Sequence, residues 1–265
     1  MAISPSKSII LSLLAAALCS CSNDAKKVTA PVEIYTGIAA GLPTGSATIS
    51  ARGLIAAYDM ETRTDDNRLR DFSPSGNHGA ISGTASTAGL FGAAMSFSTV
   101  ADRIDLPETA SFNVDGPVSV AVWVRLKTLG LHQHILACDD KFALWITTRD
   151  HWRFVDTRGN GYETADGQIE TDRWYSVVGV FQGVKGDTLT ADNIMIYIDG
   201  EPAPGSARTV WNPGILYDSD ACYLGFESHQ GERNHQTYQF EGLVDECLIF
   251  NRDLTPDEIR IHATR

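Results

Sequence analysis

The strongest constraint on the fold is a two-residue alternation of apolar side chains. From Val118 to Leu126, valines alternate with Ser, Ala, Trp and Arg, and from Ile194 to Ile198, isoleucines alternate with Met and Tyr. Because successive side chains of a strand point to opposite faces of a sheet, this period predicts β-strands with one face in a core. Asp199-Gly200 follows the second strand and predicts a hairpin turn, since glycine tolerates the positive φ that such turns need.

Helical patterning is confined to the end of the chain. Thr255-Pro256-Asp257-Glu258 is typical of a helix start, with a capping hydroxyl, a first-turn proline and acids that the helix dipole favours. We therefore predict a helix within Leu254 to Ala263 and strands joined by turns before it. Two packed antiparallel sheets with one short C-terminal helix satisfy this pattern.

The first twenty residues are predicted to be an export signal outside the fold. Lys7 precedes an apolar run over Ile9 to Leu18, about ten residues where a membrane span needs roughly 20. Leu18-Cys19-Ser20-Cys21 resembles the lipobox of bacterial lipoproteins, which implies a lipid on Cys21. Ser22 resembles the signal for sorting to the outer membrane. An ordinary secretory signal is the alternative, and on either interpretation the chain leaves the cytoplasm.

Residues 21–52 are rich in Ala, Thr, Ser, Gly and Pro and have little periodicity, which predicts a flexible tether. Residues 53–265 contain no repeat and no second linker, and their length suits a single all-β domain. The net charge of -12 argues against nucleic acid and against an electrostatic attachment to anionic lipid. Membrane attachment is therefore predicted through the N-terminal lipid alone.

Seven short segments follow one another in a characteristic order between residues 53 and 265. They are GLIAAYDME from Gly53, DFSPSGNHG from Asp71, GAAMSF from Gly92, VSVAVWVRL from Val118, WYSVVGVF from Trp174, IYIDGEP from Ile196 and FEGLVDECLIFNRDLTPDEI from Phe240. Their order resembles that of the laminin-G-like, concanavalin A-like jelly-roll domains of bacterial surface proteins. The resemblance implies an all-β jelly-roll sandwich. It leaves the function open, because this architecture carries lectins, enzymes and inert spacers alike.

The resemblance also implies a structural calcium site. In this family, the loop that contains Asp71 and Asn77 and the strand that contains Asp245 commonly surround the ion. Carboxylate and amide oxygens are the ligands that calcium prefers, and such a site would fix an N-terminal loop to the last strand. The alternative is that Asp71 and Asn77 only form local turns and Asp245 a local salt bridge.

Three cysteines follow Cys21, at positions 138, 222 and 247. Cys222 shares its strand parity with Leu224, and Cys247 shares its parity with Ile249, so both are predicted to face the core. In an oxidising compartment they could form a disulfide that leaves Cys138 free. The alternative is that all three are small buried apolar residues.

Tryptophans are the first candidates for ligand contact, because sugars stack on exposed aromatic rings. Trp123 and Trp174 match framework positions of the resembled family, and we expect both in the core. Trp145, Trp152 and Trp211 have no such match and are predicted to contact a ligand, the alternative being half-buried edge residues. By parity, Trp145 leaves its strand on the face opposite the core, while Trp152 is placed in the turn formed by Arg149-Asp150-His151.

Histidines and a polar loop are further candidates. The loop from Glu227 to Tyr238 contains His229, Arg233 and Asn234, and long polar loops often carry binding residues, although a solvated loop is the simpler alternative. His132 and His134 would project together from a strand, but the sequence offers no third ligand for zinc.

Catalytic motifs of this architecture are not matched. Retaining jelly-roll endoglucanases carry Glu-x-Asp-x-x-Glu on one strand, whereas the nearest segment here runs from Glu170 to Tyr175, with tyrosine in place of the acid. A Gly-x-Ser-x-Gly elbow and a His-Glu-x-x-His helix are both absent from the sequence. We therefore predict that the chain is not an enzyme.

The sequence predicts a non-catalytic, lipid-anchored binding module of the cell envelope, with a glycan as its ligand and a structural calcium ion. A structural or adhesion domain that contacts proteins without a sugar pocket is the alternative. A divergent polysaccharide-active enzyme is a weaker third interpretation, which would require Glu170 or Asp172 for activity.

Overall fold

The alternating segments form strands of two eight-stranded antiparallel sheets. The computed structural model describes residues 48–138, 141–155, 160–184, 186–208, 222–227 and 238–264. Residues 53–265 are one compact unit, and residues 1–52 belong to another. Cys21, Trp211, His229, Arg233 and Asn234 lie outside the described residues, so their predicted roles stay predictions.

Sixteen strands and one α-helix are described, together with a 3-10 turn at Ala110–Phe112. The elements are β1 Leu54–Tyr58, β2 Ala80–Ser82, β3 Ala85–Ala88, β4 Ala93–Phe97, β5 Arg103–Leu106, β6 Val118–Leu126, β7 Gln133–Cys138, β8 Phe142–Ile146, β9 Trp152–Val155, β10 Gly161–Thr164, β11 Trp174–Phe181, β12 Ile194–Ile198, β13 Glu201–Pro202, β14 Gly205–Arg208, β15 Cys222–Leu224, β16 Gly242–Phe250 and α1 Pro256–Ala263.

Sheet 1 has the order β13-β12-β11-β6-β16-β4-β3, with β1 also paired to β16, and sheet 2 has the order β14-β10-β9-β8-β7-β15-β5-β2. The valines of β6 are fully buried between the sheets, as their alternation predicts. A hairpin at Asp199 and Gly200 joins β12 to β13, and both residues have the positive φ that this turn requires. The predicted sandwich of two antiparallel sheets with one terminal helix is confirmed.

The C-terminal helix covers part of the outer face of sheet 1. Thr255 caps its start, as the sequence predicts, and Glu258 completes a capping box. His262 accepts a hydrogen bond from the indole of Trp123 through its carbonyl, and its ring lies 2.8 Å from the Ser176 hydroxyl through Nδ1. Trp123 is therefore buried under the helix rather than between the sheets. Among the helices of the described residues, none is long and apolar enough to cross a membrane.

Two tryptophan predictions are wrong. Trp152 does not stand free in a turn: it begins β9, pairs with Ile146 and is fully buried in the core, where its ring contacts Tyr175. Trp174 is not a core residue, because Tyr175 takes the inward position of β11 and leaves Trp174 partly exposed on the outer face of sheet 1. Successive residues of a strand point to opposite faces, so the position of each tryptophan within its strand decides whether it is buried in the core.

The predicted disulfide between Cys222 and Cys247 is also wrong. Cys222 instead bonds to Cys138, its direct partner in the antiparallel pair of β15 and β7 in sheet 2. Cys247 does face the core as predicted, but from β16 in sheet 1, and it is a free buried thiol. Parity identified the face of each cysteine, whereas the pairing depends on which strands are neighbours.

The Cys247 thiol is expected to resist alkylation in the folded protein. Burial, together with the charge of Asp71, raises its pKa to about 12, so that at pH 8 almost none is present as the reactive thiolate. Iodoacetamide should leave the peptide containing Cys247 unmodified under native conditions and modify it in denaturant, as read by mass spectrometry. The peptides of Cys138 and Cys222 should require a reductant as well. Native labelling of Cys247 at the rate of the denatured chain would contradict the structure.

Candidate functional site

Trp145 leaves β8 on the outer face of sheet 2, as its parity predicts. It is not part of the main core but of a small separate cluster with Ala137 and Ala143. In the register of the sheet, His134, Trp145, Arg153 and Glu163 lie opposite one another on β7, β8, β9 and β10. Across these four strands, one row of the outer face therefore consists of aromatic and charged side chains.

Four rings of this region pack together, and we call His132, His134, Trp145 and Tyr238 the aromatic stack. The ring of His132 lies 4.0 Å from Trp145 and 4.1 Å from Tyr238, centroid to centroid. His134 lies 4.6 Å from Trp145 and 5.3 Å from Tyr238. Trp145 is only 8% exposed, whereas His132 and Tyr238 are half-buried. The surface available to a ligand is therefore formed by His132 and Tyr238, with Trp145 supporting them.

A buried carboxylate orients the histidines of the aromatic stack. Glu227 and His134 are each about 1% exposed, and a carboxylate oxygen of Glu227 lies 2.5 Å from Nδ1 of His134. Because a carboxylate can only accept, this contact favours a proton on Nδ1. Nε2 of His134 then lies 3.1 Å from Nε2 of His132, and one of these two nitrogens donates a hydrogen bond to the other. The chain Glu227, His134, His132 leads from the interior to the surface.

The two ends of the predicted binding loop, Glu227 and Tyr238, are joined by backbone hydrogen bonds. The amide of Glu227 donates to the carbonyl of Tyr238 and the amide of Tyr238 donates to the carbonyl of Glu227, at 3.2 and 2.9 Å. Both ends of the predicted binding loop therefore lie at the aromatic stack, where Tyr238 is one of the four rings and Glu227 contacts His134. The residues between them that were predicted to bind a ligand are not among those described.

A second polar cluster continues the same face. Arg153 lies over the Trp145 ring at 5.0 Å and 3.3 Å from Glu163. Glu163 also contacts Arg149 at 2.6 Å and Nδ1 of His151 at 2.7 Å, while Nε2 of His151 contacts Asp166. Partial burial opposes ionisation of Glu163, but the hydrogen bond from His151 and the charges of Arg153 and Arg149 outweigh it, so its pKa lies below the ordinary value. This carboxylate stays charged and can accept hydrogen bonds.

The arrangement does not match a metal centre. Within the described ranges, no group of three or more His, Cys, Asp or Glu side chains is placed to hold a metal ion. Glu227 contacts the nitrogen of His134 that points away from His132, so these three groups do not converge on one point. The region is instead suited to recognition by rings, cations and hydrogen bonds.

Asp71, the first predicted calcium ligand, is surrounded by protein donors. One of its carboxylate oxygens accepts from the backbone amides of Ala57 and Ser73, at 2.7 and 2.8 Å. The other accepts from the Ser73 hydroxyl at 2.6 Å and from the amide of Asn77 at 2.7 Å. A carboxylate offers about four acceptor positions, so all of those on Asp71 are occupied.

Asn77 is likewise engaged within the protein. Its side-chain amide donates to the carbonyl of Ile55 at 2.7 Å and to the hydroxyl of Ser111 at 2.8 Å, and its oxygen accepts from Thr109 at 2.8 Å. Asp71 and Asn77 therefore meet, as the sequence predicts, but they meet through a backbone amide. Their side-chain oxygens hold the loop to β1 and to the segment after β5.

Asp245, the third predicted calcium ligand, contacts a different loop. It is fully buried beside a bulge in β16, and one carboxylate oxygen accepts from the amides of Leu90 and Phe91 at 2.9 and 3.0 Å. Gly89 allows this approach, because a Cβ there would lie 2.6 Å from the same oxygen. The three residues do not fit a calcium ion with these donors in place, and calcium stays a prediction.

Glu170 and Asp172, the nearest match to a catalytic pair, lie in the turn before β11. Asp172 forms an exposed ion pair with Arg125, and the backbone amide of Glu170 donates a hydrogen bond to the Tyr175 hydroxyl oxygen at 2.8 Å, with the Glu170 side chain exposed. The expected turn position is therefore seen. The two carboxylates are not presented together from a strand.

Sequence reasoning missed the contributions of Arg153, Glu163 and Tyr238. The parity of β8 identified Trp145, and the spacing of His132 and His134 identified a shared face. The remaining partners come from β9, β10 and the end of the polar loop, and only the order of strands in sheet 2 brings them to the same place.

Comparisons with known proteins agree with this architecture. The model of the concanavalin A-like lectin/glucanases superfamily matches residues 98–260. No curated protein matches the sequence.

Several solved structures are similar to this chain. Domain 4 of AbnA, a GH43 extracellular arabinanase from Geobacillus stearothermophilus, in complex with arabinotriose, is 20% identical, with 80% of this chain and 98% of that chain covered and a TM-score of 0.56. The binding domain of Paraclostridial Mosquitocidal Protein 1 is 17% identical, with 80% and 52% covered and a TM-score of 0.58. A Trypanosoma rangeli sialidase in complex with sialic acid is 17% identical, with 81% and 33% covered and a TM-score of 0.58. At these identities the likeness shows the fold alone.

Proposed function

The chain belongs to the concanavalin A-like lectin/glucanases superfamily, and on that premise we propose that it is a non-catalytic carbohydrate-binding module. We further propose that it is held at the outer membrane of a bacterium by lipid on Cys21. The lipobox-like segment from Leu18 to Cys21 and the tether after it support the anchoring part of this proposal. The fold and the outer face of sheet 2 support the binding part.

The observation that carries the proposal is the aromatic stack on the outer face of sheet 2. His132 and Tyr238 present half-buried rings, and Arg153 and Glu163 flank them with a donor and an acceptor. Sugars are bound in proteins by apolar ring faces and a few oriented polar groups, which is the combination found here. The buried contact of Glu227 with His134 holds one ring of this surface in a fixed orientation.

Two of the similar structures were determined with sugars bound. The arabinanase domain was solved with arabinotriose and the sialidase with sialic acid. These ligands belong to those proteins, and they favour a glycan over other ligand classes for a surface of this composition. The sialidase comparison covers only 33% of the sialidase chain, so it gives no support for sialidase activity in this chain.

A binding role is favoured over hydrolysis by the positions of the carboxylates. Glu170 and Asp172 lie in an exposed turn, and Glu227 is buried behind His134, where a substrate cannot reach it. Hydrolysis would require two carboxyl groups on opposite sides of one bound sugar bond. Release of reducing ends from a polysaccharide that depends on Glu170 or Asp172 would favour the enzyme instead.

Replacing Tyr238 with alanine is expected to weaken glycan binding by up to about tenfold, because an aromatic ring contact contributes about 0.5 to 1.5 kcal/mol and about 1.4 kcal/mol corresponds to a factor of ten. The full-length protein, purified in detergent, would first be applied to a glycan array, and the strongest ligand would then be titrated by calorimetry. Tyr197→Ala is the matched control, since Tyr197 is also half-buried but lies in sheet 1.

Two outcomes would redirect the proposal. If the folded protein binds no sugar on a broad array, the result would favour the alternative, a structural or adhesion domain without a sugar pocket. If Tyr238→Ala and Tyr197→Ala bind equally well, a glycan is bound elsewhere on the domain.

A further inference from the structure

A surface pocket lies at one end of sheet 1, on a different sheet from the aromatic stack. Its volume is about 300 Å³, and its wall includes Ser96 of β4, Arg125 and Lys127 at the end of β6, Asp172 of the turn before β11, and Leu243 of β16. This volume is at the lower limit for small-molecule sites, which suits one sugar unit rather than a long chain.

The strand register shows that the pocket adjoins an open aromatic ring. On the outer face of sheet 1, Ser96 lies opposite Leu243, Leu243 opposite Arg125, and Arg125 opposite Trp174. Directly opposed residues have Cβ atoms about 5 Å apart, so Trp174 is within reach of a ligand that contacts Arg125. Trp174 is only half-buried, which leaves part of the indole ring accessible.

The pocket carries two cations and one carboxylate. Arg125 donates to Asp172 at 2.9 Å, with side chains 37% and 72% exposed. A guanidinium has five N–H donors, so this bond leaves others for a ligand. Lys127 is exposed and has no hydrogen-bond or ion-pair partner for its side chain among the described residues. The pocket therefore has a local positive charge in a chain whose net charge is -12.

We propose that this pocket is a second ligand site, specific for a sugar that carries a carboxylate, such as a uronic acid unit of an acidic polysaccharide. Lys127 and the open side of Arg125 bind the carboxylate, and Asp172 and the Ser96 hydroxyl bind ring hydroxyls. The apolar face of the sugar packs on Trp174. A neutral sugar would leave Lys127 without a counter-charge, and a simple anion would leave Trp174 unused.

A second site on another sheet would make the domain bivalent. It could contact two chains, or two regions of one chain, and the gain in avidity would come from linkage rather than from new contacts. The inference does not depend on the aromatic stack as a sugar site. The two sites can be tested separately, because they share no residue.

The test uses a matched pair of ligands and the full-length protein in detergent. Oligogalacturonate and its methyl ester have the same rings and hydroxyls, and only the former carries carboxylates. Calorimetry should detect the acid form, with affinity that falls as salt is raised, and should find the ester at least tenfold weaker. Galacturonate monomer should also bind in this pocket, because the pocket volume suits one sugar unit. If neither the monomer nor the oligomer binds to the protein, the proposal is overturned.

Variants assign the binding to this pocket. Lys127→Met and Trp174→Ala should each lower the affinity for oligogalacturonate by about tenfold or more. Arg68→Met removes an exposed cation from the loop between β1 and β2 and should have no effect. Tyr238→Ala should also leave this binding unchanged, which separates the second site from the aromatic stack. Lys127 is exposed, so its variant should retain the thermal transition of the wild type.

Three further results would overturn the proposal. They are equal binding of the acid and the ester, unchanged affinity in Lys127→Met, and loss of oligogalacturonate binding in Tyr238→Ala alone.

Discussion

Replacing Asp71 with alanine is expected to lower the free energy of unfolding by about 4 kcal/mol. The carboxylate accepts four hydrogen bonds from inside the protein, three of them from the backbone amides of Ala57, Ser73 and Asn77. Alanine would leave these donors without an acceptor, and each buried donor left unpaired costs about 1 to 3 kcal/mol. Urea unfolding followed by tryptophan fluorescence gives the difference directly.

Asp192→Ala is the control for this measurement, because Asp192 is an exposed aspartate of the loop before β12. Its midpoint of unfolding should match that of the wild type. The same series run with calcium and with a chelator tests the calcium prediction. If calcium raises the stability of the wild type but not of Asp71→Ala, the ion binds there after displacing protein donors. If Asp71→Ala unfolds at the same urea concentration as the wild type, the network around Asp71 contributes little.

The strands could be predicted because their signal is local. In β6 and β12 the side chains alternate, and the structure places the valines and isoleucines of even number toward the core or partly buried against it. The signal for the helix is equally local, since Thr255 and Glu258 are hydrogen-bonded to each other within its first turn. A feature that depends on a single strand or helix can be predicted from the periodicity of consecutive residues in that element.

Features that depend on neighbouring strands could not be predicted in this way. Parity placed Cys222 and Cys247 in the core, yet the two lie on different sheets, and Cys222 meets Cys138 because β15 pairs with β7. The aromatic stack has the same origin, since β7, β8 and the end of the loop after β15 each supply one part. Strand order follows from the topology of the whole sandwich, which no short segment specifies.

Turns set a further limit, because an error of one residue there changes the face of the following strand. The segment Arg149-Asp150-His151 predicts a turn, and the turn does form, with Asp150 at positive φ. It ends one residue before β9, so Trp152 takes a core position together with Phe154. For Trp174 the expectation came from the resembled family rather than from parity. Its own strand, in which Tyr175 and Val177 are core residues, indicates the outer face.

Loss of the disulfide between Cys138 and Cys222 is expected to lower the free energy of unfolding by about 3 to 5 kcal/mol. The bond joins residues 84 positions apart, and closing a loop of this length removes conformational entropy worth about 4 kcal/mol from the unfolded chain. Cys138→Ala should therefore unfold at a clearly lower urea concentration than the wild type.

A reductant should produce nearly the same destabilisation in the wild type and no further change in Cys138→Ala, since the variant has no bond left to break. Cys247→Ala is the matched control: it removes a buried cysteine that bonds to no other, so it should keep the full response to the reductant. If the reductant destabilised Cys138→Ala but not Cys247→Ala, the disulfide would involve Cys247. The adjacency of β15 and β7 would then not determine which cysteines form the bond. Because Cys138 and Cys222 are direct cross-strand partners within one sheet, we expect the opposite result.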